Sequence, residues 1–131
     1  MKTKRIIIGL VAILLLISLA SCEFSSYFAI GLVRITRDDY CETSFLKLDG
    51  RLVFSPRYTK NSEGQIHYVA SLEEGEVNVY YELSGGGHEL LFNIKAGETL
   101  DSRGGYIEKG KQTIIIETVS PAKGKITIEF E

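Results

Sequence analysis

The chain has no tryptophan, two prolines, one methionine, two cysteines and two histidines. Catalysis by a side-chain nucleophile needs a base within hydrogen-bond reach, and the only histidines are His67 and His88. Neither sits in a G-x-S-x-G, H-E-x-x-H or Walker sequence, so the common hydrolase, zinc-protease and nucleotide assemblies are missing. Positive charge is also in short supply, with 15 Lys and Arg against 17 Asp and Glu. That balance argues against a nucleic-acid partner, whose phosphates demand clustered cations. From Phe45 onward there is little helical periodicity, and no repeat of fixed period or low-complexity tract is present. The absences leave a small β domain that works through its surface.

Long apolar runs are confined to one place, Ile6 to Ile17, interrupted only by Gly9. This is short of the ~20 residues that a spanning helix needs. Lys2, Lys4 and Arg5 precede the run and Leu19-Ala20-Ser21-Cys22 follows it, the layout of an export signal. The tetrapeptide resembles the lipobox of bacterial lipoproteins. That resemblance implies diacylglyceryl transfer to the Cys22 thiol, cleavage between Ser21 and Cys22, and a mature chain held on the extracytoplasmic side of a membrane in the cell envelope. Two or more acyl chains give a stable anchor where one holds marginally. An ordinary secretory signal cleaved at the same small residues would instead release the domain.

On this reading residues 1 to 21 are a signal peptide, 22 to 26 are the lipidated cysteine and a short tether, and 27 to 131 form one domain. The leader takes three of the 15 basic residues and none of the 17 acidic ones, so the remainder carries 12 minus 17, or −5. With Cys22 lipidated, Cys41 is the only thiol, no intrachain disulfide forms, and a free cysteine of this kind is expected to be buried. The tether is so short that the first strand is expected to begin almost at the anchor and hold the domain close to the bilayer. The rival reading is a tether whose apolar residues sit in the interface, which suits the aromatic rings of Phe24, Tyr27 and Phe28.

The domain reads as an antiparallel β-sandwich, Ig-like or jelly-roll-like, of about seven or eight strands. Tyr27 to Ile35 forms a first strand. Phe45 to Phe54 reads as a hairpin about Asp49-Gly50, with Leu46 opposite Val53. Ser55 to Gly64 is an exposed loop. Gln65 to Leu72 alternates, with Ile66, Tyr68, Ala70 and Leu72 on one face, then turns at Glu73 to Glu76 into Val77 to Leu83 with Val77, Val79, Tyr81 and Leu83 inward. Ser84 to His88 links to a strand with Leu90, Phe92 and Ile94 inward, and Lys95 to Glu98 turns the chain again. Thr99 to Gly110 is weakly patterned. Gln112 to Val119 and Lys125 to Glu131 then read as a last hairpin about Pro121 to Gly124, with Ile126, Ile128 and Phe130 inward.

Candidate sites are few. Tyr68, Tyr80 and His88, with Asn78 and acidic neighbours, would suit a sugar or peptide surface, because a tyrosine ring offers contact area at low entropy cost. Gly85-Gly86-Gly87 would cradle an anion only in the manner of a backbone nest, and otherwise serves as a mobile connection. Glu73, Glu74 and Glu76 would hold calcium only if Asp38 or Asp39 lay nearby. A Cys41 and His88 pair would require the fold to bring them together. No cofactor and no metal are implied. The reading is a non-catalytic binding module of the envelope, engaging an envelope protein or glycan; the alternatives are a small envelope hydrolase or metal-assisted enzyme, and an inhibitor or self-protection lipoprotein.

Overall fold

The computed structural model describes residues 25–131. Ser21 and Cys22, with the whole leader, lie outside the described residues. The strands are β1 (Ser26–Ile30), β2 (Val33–Arg37), β3 (Tyr40–Phe54), β4 (Arg57–Tyr58), β5 (Gly64–Glu82), β6 (His88–Lys95), β7 (Thr99–Ile107), β8 (Gly110–Lys111) and β9 (Ile114–Phe130). All pairings are antiparallel. The all-β antiparallel architecture is therefore the one expected.

The three expected hairpins are not hairpins. β3 runs through Asp49-Gly50, β5 through Glu73 to Glu76, and β9 through Pro121 to Gly124, each as one long strand. At those levels the register slips: between Phe45 and Arg51 of β3, and between Leu72 and Val77 of β5. Leu48 stands opposite Ala122, and Glu74 opposite Lys123, so the irregularities form one line across the sheet. Bulges bend a strand and sharpen its twist, and a proline inside a central strand is confined to such places.

The flanking positions break at the same line. β1 pairs the second half of β3 and β2 its first half, with the chain bending at Gly31-Leu32. On the other side β6 pairs Glu76 to Glu82 and β7 pairs Gly64 to Ser71, with the chain turning at Ala96 to Glu98. One sheet, five positions wide, thus folds over a single crease into two layers. The first layer holds β2, β7 and the crease-distal parts of β3, β5 and β9 around Cys41, Ile66 and Ile128. The second holds β1, β6 and the parts around Leu52, Val79 and Ile116.

Burial decides for the crease over separate hairpins. Covering one Leu or Ile stabilises by roughly 1.5–3 kcal/mol, against about 0.2–1 kcal/mol for one cross-strand pair. A ribbon of residues 45 to 54 alone has apolar residues on both faces. Paired along β9 instead, Phe45, Leu48, Leu52 and Phe54 all enter the core with Ile114, Ile116, Ile126 and Ile128. The layers meet through Tyr68, stacked on Phe92 with ring centroids 4.4 Å apart. At the open end Tyr58, fully buried, lies edge-on to Phe130, and the two-stranded β4 and β8 pair closes the sandwich there.

Local differences have local causes. The expected loop 55 to 64 contains β4, anchored where Asp39 accepts from the Thr59 amide at 2.8 Å. Tyr27 to Ile35 is two strands instead of one. Leu90 is exposed because β5 and β6 slip register between Val79 and Tyr80, and Leu91 packs on the core where Leu90 was expected; Leu83 is exposed beyond the end of β5.

Candidate functional site

The two layers expose two outer faces. On the second layer the alternation that buries Val77, Val79 and Tyr81 turns Glu76, Asn78 and Tyr80 outward. Register then assembles two rows. Val53, Ile115, Tyr80 and Leu90 are successive neighbours across β3, β9, β5 and β6; Arg51, Glu117, Asn78 and Asn93 form the adjacent row. The first row is apolar and aromatic, the second polar and charged. Three strand spacings of about 4.8 Å make each row roughly 14 Å long, and two residues along a strand set the rows roughly 7 Å apart.

Arg51, Tyr80, His88, Ile115 and Glu117 line a depression of about 250 Å³ on this face. Ile115, 1% exposed although it points outward, forms the floor beneath its larger neighbours. Elsewhere in the fold the hydroxyls of Tyr40, Tyr81 and Tyr106 are committed to Glu42, Glu89 and Glu108. Those carboxylates push the three phenols up from their ordinary value; for Tyr106 the first cause is Glu63, and for Tyr81 burial adds to Glu89. Along the polar row the Asn93 amide donates to Asn78 at 2.8 Å and to Glu76 at 2.9 Å, which fixes the amides in one orientation. The Arg51 Nε is buried with no hydrogen-bond partner among the described residues.

The structure therefore brings Tyr80 and His88 together and removes Tyr68 from them. Tyr68 points between the layers onto Phe92, because the alternation that buries Ile66 and Ala70 places it on their side. Nothing local in the sequence marks Arg51, Ile115, Glu117 or Asn93 as site residues. Only the pairing of β9 with both β3 and β5, and of β5 with β6, sets them beside Tyr80.

The other candidates separate. Cys41 is buried in the first layer, and burial pushes its thiol up to about 12, while His88 lies exposed on the outside of the second layer. The conceivable Cys41 and His88 pair does not form. Glu73 to Glu76 lie at the crease, where Lys123 meets Glu73 at 3.0 Å, whereas Asp39 is bound to Thr59 at the open end. No calcium set is assembled from them. Gly85 to Gly87 form the connection between β5 and β6, closed by the Leu83 amide donating to the Gly87 carbonyl at 2.9 Å.

One further cluster stands on the outer face of the first layer. His67, Glu129 and Glu131 have ligand atoms within 4.8 Å of one another. His67 Nε2 is 2.7 Å from Asp101, its Nδ1 is 3.3 Å from Glu131, and Arg103 Nε donates to Glu131 at 2.6 Å. That guanidinium, foremost, holds the Glu131 carboxyl below its usual range. Arg103 and the imidazole thus account for Glu131 without an ion. A recess of about 450 Å³ beside it, lined by Glu63, Gln65, Arg103, Tyr106 and Glu131, is open and acidic.

No protein family matches the chain by sequence, and no individually described protein does. Among solved structures it is similar to a family 29 carbohydrate-binding module, at 12% identity over 80% of this chain and 77% of that one, with a TM-score of 0.42. A family 4 carbohydrate-binding module is similar at 11% identity over 82% and 77%, TM-score 0.42. An exo-β-1,3-galactanase of Phanerochaete chrysosporium is similar at 11% identity over 79% of this chain and 29% of that one, TM-score 0.41. The candidate site is defined by this chain's own residues and not by these likenesses.

Proposed function

We propose that the protein is a non-catalytic glycan-binding module, tethered by lipid at Cys22 to the outer side of a bacterial membrane. The carrying observation is the pair of rows on the second layer. A pyranose ring has an apolar C–H face and a rim of hydroxyls, and a ring laid on Tyr80, above the floor that Ile115 forms, puts that rim toward Arg51, Glu117, Asn78 and Asn93. Tyrosine is suited to this task, offering a rigid apolar body with a polar tip. The strip's length of about 14 Å matches a short oligosaccharide rather than a single sugar. The leader's basic and apolar segments, ending in Leu19-Ala20-Ser21-Cys22, support the tether and the envelope address.

A glycan array probed with the protein and with a Tyr80→Ala variant tests the binding claim. Retained binding to a defined oligosaccharide class, weakened roughly tenfold to a hundredfold by the substitution, is expected, since a central aromatic anchor is typically worth about 1.4–2.8 kcal/mol. A silent array, or a variant that binds like the parent, refutes it. Labelled palmitate taken up by the full chain and lost in Cys22→Ala tests the tether separately.

A further inference from the structure

The two edges of the folded sheet are protected very differently. Edge strands are normally blunted by charge, because unpaired backbone groups and apolar side chains invite association. The β6 and β7 edge carries Glu89, Lys95, Asp101 and Arg103. On the opposite edge β2 carries Arg34 and Arg37, whereas β1, Ser-Tyr-Phe-Ala-Ile, has no charge at all. Phe28 is 60% exposed, Ile30 51%, Val33 51% and Leu46 59%. They gather at one corner of the crease: a Cβ on Gly31 would lie 2.7 Å from Leu46 Cγ, so the Leu46 side chain rests on the bend between Ile30 and Val33. An apolar knob of this kind marks a contact surface.

The position of the anchor says what covers it. Ser25, the first described residue, is fixed to this edge, its hydroxyl accepting from the Val53 amide at 2.9 Å. Only Glu23 and Phe24 separate it from Cys22, and three extended residue steps reach about 10 Å. We infer that the β1 and β2 edge, with Phe28, Ile30, Val33 and Leu46 foremost, is seated in the lipid interface of the membrane that holds Cys22. The inference rests on the lipoprotein reading of Cys22. Interfacial insertion is about 5–10 Å deep, comparable with that reach. Lys47, whose Nζ stands 6.0 Å above the Phe28 ring, meets lipid phosphates while the ring enters the acyl boundary.

The seat also sets the orientation of the domain. Both rows of the second layer run from β3, next to the seated edge, outward to β6. The glycan strip therefore points away from the bilayer, with Leu90 and His88 at its far end.

The test uses the full lipidated chain in phosphatidylcholine and phosphatidylglycerol vesicles, labelled with an environment-sensitive fluorophore at Ile30→Cys, Leu46→Cys or Leu90→Cys. Blue-shifted emission at positions 30 and 46, quenched by spin-labelled lipid about twofold or more beyond position 90, is expected for insertion at interfacial depth. Equal quenching at all three in a chain that carries palmitate overturns the seat and leaves the anchor standing. A chain that takes up no palmitate and stays off the vesicles overturns the anchor and the seat with it. Blue-shifted emission at 30 and 46 that persists without lipid, in a species of twice the monomer mass, overturns the seat in favour of edge-to-edge pairing of two copies.

Discussion

Replacing Gly75 with alanine probes the crease at its tightest point. Gly75 has φ of 83°, a left-handed conformation that costs an L-residue about 1–2 kcal/mol. A Cβ there would also press on the Pro121 carbonyl oxygen and lie 2.8 Å from the Ala122 Cα, both backbone atoms of the neighbouring strand. Forcing them apart costs about 1–3 kcal/mol more. The total, roughly 2–5 kcal/mol, is a large share of the ~5–15 kcal/mol that holds a domain folded. Gly97 supplies the control, since its φ is 85° and nothing lies within 4 Å of an added Cβ. Gly97→Ala should therefore show only the conformational cost. Urea unfolding of the two variants, compared at equal m-value, should place Gly75→Ala lower by about 1–3 kcal/mol, a difference of roughly 5–20 °C in Tm. Variants equal within about 0.5 kcal/mol would refute the close approach of β5 and β9 at the bend, and with it the single folded sheet.

Tyr58→Phe removes a buried hydroxyl with no partner among the described residues, so stability should hold or rise by about 1 kcal/mol in thermal melts, whereas Tyr58→Ala should lose about 3–5 kcal/mol. Lys125 first, then Tyr40, hold the Glu42 carboxyl below its usual range. Its contribution is thus complete above the unfolded value near ~4.3 and is lost as pH falls through the lower folded value. Glu42→Gln should therefore melt below the parent at neutral pH and converge with it in acid; a constant offset at every pH would contradict the ion pair. Cys41, buried with its thiol pushed up to about 12, should resist iodoacetamide at pH near ~8, where roughly one thiol in ten thousand is ionised, and label promptly in urea. Rapid labelling of the native protein would show that the core is open there.

Side-chain periodicity was legible in the sequence; chain direction at the bends was not. The period of two correctly placed Ile66, Ala70 and Leu72, then Val77, Val79 and Tyr81, then Ile126, Ile128 and Phe130 in the core. Asp49-Gly50, Gly75 and Pro121 to Gly124 signal positive φ and strand interruption in a hairpin and in a bulge alike, so local chemistry cannot separate a reversal from a crease. What separates them is the long-range partner, β9, which offers both halves of β3 and β5 a continuous apolar ladder. The same dependence governed the site. Tyr80 was visible as an outward tyrosine and His88 as its neighbour across the β5 and β6 connection, but Arg51 and Glu117 reach them only through pairings 66 and 39 residues apart in sequence, Arg51 with Glu117 and Glu117 with Asn78. Tyr68 was placed inward by the very alternation that made its strand recognisable.

Chemical-shift mapping tests the central claim most directly. An amide spectrum of the protein titrated with the best oligosaccharide from the array should move along both rows of the second layer, at Arg51, Asn78, Tyr80, Asn93, Ile115 and Glu117. Shifts confined to the recess around Arg103, Tyr106 and Glu131, with those rows still, would contradict it.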